Sequence, residues 1–145
     1  MNSSLGHMVT GHVLAPAAVA FAYLSDPVQL GRWSLGCFGT SADPETGLHT
    51  GHSLFDGSRG WFRIDPDPVR MVVDYLVGEP GRLTLRISAR VVSAETVGYE
   101  SETSLVMLSA WRPATMTPER WQRLCASHEA EIWLIKAQIE TQYRA

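Results

Sequence analysis

Among the side chains that could do chemistry, Cys125 and His128 lie three residues apart on a segment with helical periodicity. An imidazole titrating near neutrality can act as acid or base, and beside a thiolate it can form a nucleophilic pair. That pair needs an oxyanion donor and an orienting carboxylate, and neither can be identified nearby. A satisfied, half-buried histidine is the expectation for His128. His7 and His12 have opposite strand parity, as do His49 and His52, so neither pair can chelate from one face. His12 and His52 would supply two ligands without a third, so no metal site is expected. No GxGxxG and no glycine loop ending in Lys-Ser/Thr is present, so no nucleotide cofactor is expected either.

These residues need elements to place them. Leu83, Leu85, Ile87, Ala89 and Val91 alternate with Arg82, Thr84, Arg86, Ser88 and Arg90, which predicts a strand with the apolar set inward and the arginines in solvent. In the next strand Glu100 and Glu102 mark the wet face, which puts Tyr99, Ser101, Thr103, Leu105, Met107, Ser109 and Trp111 inside. Val69, Met71, Val73, Tyr75 and Val77 likewise oppose Arg70 and Asp74. Earlier, His7 to Leu14 alternates as a first strand, followed by a proline-led helix to Ser25 and a second short helical turn from Val28 to Trp33. Strands are expected near Trp33 to Gly39, Leu48 to Phe55 and Arg59 to Asp65, with DGS (Asp56 to Ser58) as a hairpin turn and Pro66 and Pro68 as strand breakers. Gly51, Gly57 and Gly60 predict bulged or incomplete strands.

The last quarter reads as one long helix. Thr117 suits the N-cap, Pro118 the first position and Glu119 the first turn. Its buried stripe is predicted as Trp121, Cys125, His128, Ile132, Ile135 and Ile139, with Glu129, Lys136 and Glu140 opposite. Trp133 falls beside those charges, as a flank contact or a partner surface. The expected architecture is α+β: a curved antiparallel sheet of about six or seven strands wrapped around this helix, with two short helices after strand one.

At 145 residues, 45% hydrophobic and 19% charged, the chain suits one globular domain from residue 7 to 145 behind a flexible leader of residues 1–6. A net charge of −3 and the lack of a basic patch give no reason to expect a nucleic-acid partner. The run Val13 to Leu24 lacks a preceding basic region and contains Pro16, which argues against a secretory signal. No stretch reaches membrane-span length. Two cysteines are too few for a disulfide scaffold, so a cytoplasmic protein with reduced thiols is the default expectation.

Three stretches together resemble the START-like helix-grip superfamily (SRPBCC), in its polyketide cyclase/dehydrase-like and lipid-transport branch. They are HVLAPAAVAFAYLSDPVQLGRW (His12 to Trp33), VRMVVDYLV (Val69 to Val77) and Trp111 to Glu140, the last especially at Glu131, Leu134, Lys136 and Glu140. The resemblance covers about His7 to Tyr143 and implies a cavity between sheet and helix without fixing its use.

A small apolar or aromatic molecule is the expected partner. Candidate ligand contacts are Met71, Val73, Tyr75, Leu85, Ile87, Tyr99, Leu105, Met107, Trp121, Cys125, His128 and Ile132, in a pocket expected to hold few charged groups. The hydroxyls of Tyr75 and Tyr99 could orient such a ligand, whereas Ser101, Thr103 and Ser109 are expected to bond local carbonyls. Arg63 is expected at the surface. Two other readings stand beside binding or transport: a cyclase, dehydratase or hydrolase-like enzyme using inward hydroxyls and His128, and a regulatory domain with a filled core acting through the surface near Trp133. A homodimer remains open on general grounds.

Overall fold

A computed structural model describes residues 4–145. The chain runs through strand β1 (Gly6–Val13), helices α1 (Ala17–Leu24) and α2 (Pro27–Trp33), and strands β2 (Phe38–Ala42), β3 (His49–His52), β4 (Arg59–Asp67), β5 (Val72–Glu79), β6 (Arg82–Ser93) and β7 (Ser104–Trp111). It closes with helix α3 (Pro118–Arg144). The strands form one curved antiparallel sheet in the order β1-β7-β6-β5-β4-β3-β2, so α1 and α2 carry the chain from one edge to the other. This is the expected α+β helix-grip architecture, with the strand count at seven.

Local sequence sets the helix starts. The Asp26 carboxylate accepts the Val28 N–H at 2.9 Å ahead of Pro27, and the Thr117 hydroxyl accepts the Arg120 N–H at 3.3 Å ahead of Pro118. Packing then holds α3 in place. Ile132, Ile135 and Ile139 are buried among Val13, Leu24, Val73, Val106 and Leu108. Each such side chain contributes about 1.5–3 kcal/mol, against about 1 kcal/mol for a cap. The helix crosses β1 closely at Gly11, where an added Cβ would stand 3.3 Å from Ile132 Cγ1. Farther along, Lys136 Nζ donates to the His12 carbonyl at 2.6 Å and to Glu140 Oε2 at 2.5 Å. Glu140 Oε2 also accepts the Leu14 N–H at 2.8 Å. Lys136 and Glu140, expected on the solvent face, instead clamp the helix to the end of β1.

Several strand expectations need correction. β1 begins at Gly6, inside the expected leader, of which Met1–Ser3 lie outside the described residues. β4 runs through Pro66, because β3 pairs only as far as Phe62 and leaves the rest of β4 as an edge where no N–H is needed. β5 starts at Val72, after a turn that leaves Val69 fully exposed.

The parity of β7 is reversed. Tyr99 to Thr103 forms a turn, with Glu102 at φ +64°, and the strand begins only at Ser104. Ser104, Val106, Leu108 and Ala110 face the core, while Leu105, Met107, Ser109 and Trp111 take the other face. In β6 the pairing slips: Tyr75 stands opposite Ile87, but Leu76 stands opposite Leu85, which makes Arg86 an extra residue. This bulge exchanges faces, leaving Leu85 about half exposed and half-burying Arg86. Gly51 has a tight neighbour too, since an added Cβ would lie 2.6 Å from Cys37 Sγ; β3 there is short but regularly paired with β4.

Candidate functional site

Between the sheet and the N-terminal half of α3 lies a cavity of about 450 Å³. Its buried wall begins with Trp33, which the end of α2 delivers against Tyr75 of β5, ring centroids 5.9 Å apart and edge to face. Phe62 of β4, Val77 of β5 and Ile87 of β6 extend that wall. Leu124, Ser127, His128 and Glu131 close it from α3, where spacings of three and four place them on one face. The mouth is formed by the β3–β4 turn with Phe55 and Asp56, by Glu79, and by Arg120 and Arg123 of α3. The Arg123 guanidinium lies over the Phe55 ring, 4.5 Å from its centroid.

The polar centre of this wall is His128 with Glu131. Nε2 and Oε1 stand 3.8 Å apart, and the two residues are each 3% exposed. The spacing is that of a salt bridge, but burial acts against charge on both groups. Burial, then the charges of His7 and Arg86, depress the imidazole to about 4. Burial pushes the Glu131 carboxyl up to about 7, opposed by the Leu35 N–H that it accepts at 2.7 Å. Near neutrality the site therefore holds a neutral imidazole beside a carboxyl that exchanges its proton. Such a pair can give and take protons from a bound carbonyl or hydroxyl.

Of the twelve expected ligand contacts, Tyr75, Ile87 and His128 line this cavity. The Tyr75 hydroxyl is already committed: it donates to the Leu24 carbonyl at the end of α1 at 2.6 Å. Met71, Val73 and Ile132 pack into or against the closed core, and Trp121 is buried outside the cavity wall. Cys125 is half-buried and does not line the cavity. Its thiol is pushed up by burial and then by Glu129, which works against a nucleophilic pair with His128. Leu85 is turned outward by the bulge.

Tyr99, Leu105 and Met107 line a different concavity of about 450 Å³, on the outer face of the sheet, with Thr10, His12, Arg90 and Val92. There His12 Nε2 lies 3.0 Å from Thr103 Oγ1, and the His12 and Tyr99 rings are 5.4 Å apart. Arg63 is exposed and pairs with Asp65 at 3.2 Å, as its surface expectation had it.

Sequence reasoning did not select Trp33, Phe62, Arg86, Arg120, Ser127 and Glu131 as cavity residues. A signal existed for Glu131, which sits three residues after His128 on the apolar side of the helix. None existed for Arg86, because a bulge is a property of pairing between strands. The expectation of few charged groups is corrected accordingly: the wall carries Arg59, Arg86, Arg120, Arg123, Asp56, Glu79 and Glu131. Among the described residues no group of three His, Cys, Asp or Glu could hold a metal ion, and no helix is long and apolar enough to cross a membrane.

The architecture recurs in solved structures. The aromatase/cyclase Zhui from Streptomyces sp. R1128 is similar at a TM-score of 0.67 and 18% identity, over 97% of this chain and 96% of that one. Protein XoxI from Bacillus cereus is similar at 0.70 and 12%, over 94% and 96%. A START superfamily protein from Mycobacterium smegmatis is similar at 0.62 and 11%, over 96% and 97%. No protein-family model matches the chain, and no curated protein matches it. At these identities the likeness establishes a START-like, polyketide cyclase-like fold.

Proposed function

We propose that the chain binds one small apolar or aromatic molecule in the cavity between the sheet and α3. The observation that carries this reading is the open volume itself, about 450 Å³ beside Trp33, Phe62 and Tyr75, which are each no more than 3% exposed. Apolar wall exposed in such a concavity gains free energy when a ligand covers it, by about 25 cal/mol per Å² of apolar surface removed from water. Its volume falls within the range of small-molecule sites, and Trp33, Phe62 and Tyr75 give it an aromatic wall of the kind such sites use. The likeness to a START superfamily protein and to an aromatase/cyclase supports the same assignment. The open space also weighs against a filled-core regulatory domain.

The test is a fluorescence titration with N-phenylnaphthylamine, a neutral dye that brightens in apolar sites. One saturable site per chain is expected, abolished by Ser127→Phe, which fills the cavity from α3. Absence of saturable binding, or binding untouched by Ser127→Phe, would overturn the reading.

The His128–Glu131 pair favours a second reading, a cyclase- or dehydratase-like enzyme. In a dehydration the neutral imidazole takes a proton from carbon, the electron pair forms the double bond, and the carboxyl protonates the departing hydroxyl as water. Binding without turnover keeps the first reading. Turnover lost in His128→Gln, with dye binding retained, selects the second.

A further inference from the structure

The apolar reading leaves the charge on the cavity wall unexplained. Arg86 enters the wall from the sheet and Arg120 from the helix. Among the described residues neither side chain makes a hydrogen bond or an ion pair. The other arginines of the wall are engaged. Arg59 lies 3.9 Å from Asp43 and over the Trp61 ring, and Arg123 lies over Phe55. The carboxylates of the wall are either hydrogen-bonded elsewhere or exposed at the rim. Asp56 accepts the N–H and the hydroxyl of Ser58 at 2.9 and 2.7 Å, and Glu131 accepts the Leu35 N–H. Glu79 is exposed at the rim.

Arg86 reaches this position only because β6 spends one extra residue there. A regular strand would have left it in water. Half-burying a guanidinium without a carboxylate disfavours its charge, and a second cation nearby disfavours it further. Both effects are visible: burial, then Arg120, lower the Arg86 pKa. Bulges of this kind re-aim a side chain, commonly beside a site. Among the described residues no hydrogen bond or ion pair rewards this one.

We infer that the molecule taken by the cavity is an acid: its carboxylate is held by Arg86 and Arg120, while its apolar body lies toward Trp33, Phe62 and Tyr75. The planar fork of a guanidinium matches the two oxygens of a carboxylate, and the charge is worth more in a half-buried wall than in water. This inference rests on the cavity being a ligand site, and it adds the chemical class of the ligand.

The experiment displaces N-phenylnaphthylamine from the full chain with naphthoate and with naphthamide, which share one body and differ in charge. Naphthoate is expected to compete at about tenfold lower concentration. Arg86→Gln should bring the two competitors to parity, each read against the dye affinity of that same variant. Arg120→Gln should narrow the gap, and Arg86→Lys should restore part of it. Because Arg86 has no hydrogen-bond or ion-pair partner among the described residues, Arg86→Gln should hold or raise the thermal midpoint of the ligand-free chain. Arg120 is exposed, so its variant keeps the test available whatever the folding of the other. Equal potency of naphthoate and naphthamide on the wild-type chain would overturn the inference and leave the cavity reading standing. So would a preference unchanged in Arg86→Gln and Arg120→Gln. Failure of the dye and both competitors to bind would overturn the cavity reading, and this inference with it.

Discussion

Tyr75 and His128 were both legible as inward residues from periodicity, yet their roles differ because of what each polar atom touches. The Tyr75 hydroxyl serves the Leu24 carbonyl, which has no helical partner of its own. Tyr75→Phe should therefore cost about 1–3 kcal/mol in urea unfolding, the penalty for an orphaned buried acceptor, and leave dye affinity unchanged. A loss of affinity with no loss of stability would assign the hydroxyl to the ligand instead.

His128 and Glu131 titrate in opposite senses. Between 4.5 and about 7 the folded chain keeps the Glu131 proton that the unfolded chain has released, so this group makes stability fall as pH rises. Between about 4 and 6.5 the folded chain lacks the His128 proton that the unfolded chain holds, so this group makes stability rise with pH. The two slopes oppose each other over the shared window and flatten the wild-type profile. Glu131→Gln should expose the rising limb and His128→Gln the falling one, each on the order of 2 kcal/mol, in urea unfolding across that range. Variant profiles parallel to the wild type would contradict the assignment.

At the scale of elements, the clamp of Lys136, Glu140, His12 and Leu14 ties α3 to the end of β1. Burial raises the Glu140 carboxyl, but Lys136 and the Leu14 N–H outweigh it and hold the group below its ordinary value. The sign follows: its contribution is complete above 4.5 and is lost as pH falls through the lower folded value. Glu140→Gln should cost about 1–2 kcal/mol at neutral pH, and the difference from wild type should shrink in acid, by thermal unfolding. The elements themselves were largely readable. Thr117 with Pro118 and the alternation in β5 are short-range signals, and a single sequence carries them fully. The face of β7 was not readable, because Glu102 at positive φ ends a turn that looks like strand in its residue types. Nor was the bulge at Arg86, since two strands must be aligned before a surplus residue exists. The helix face was drawn through Cys125 and Ile132 when the cavity sees Leu124, Ser127 and Glu131. That shift of one residue along the stripe separates core from site.

For the whole molecule, one sheet presents two concavities of equal volume, and seven-stranded order alone does not rank them. The outer one is lined by His12, Tyr99 and Met107 on a solvent face, with Tyr99 57% exposed. The inner one lies under α3, where a neutral histidine, a protonating carboxyl and two arginines without a hydrogen bond or ion pair among the described residues share one wall. Trp133, 69% exposed on α3, stands apart from both linings. Trp133→Ala should leave dye binding unchanged, and a weakened titration would show that this surface contributes to the site. A crystal structure of the chain grown with naphthoate would locate the ligand and its carboxylate at once. The naphthyl ring is expected beside Trp33, Phe62 and Tyr75, with the carboxylate on the Arg86 guanidinium. Naphthoate seated in the outer groove against His12 and Tyr99, with the inner cavity unchanged, would contradict this placement.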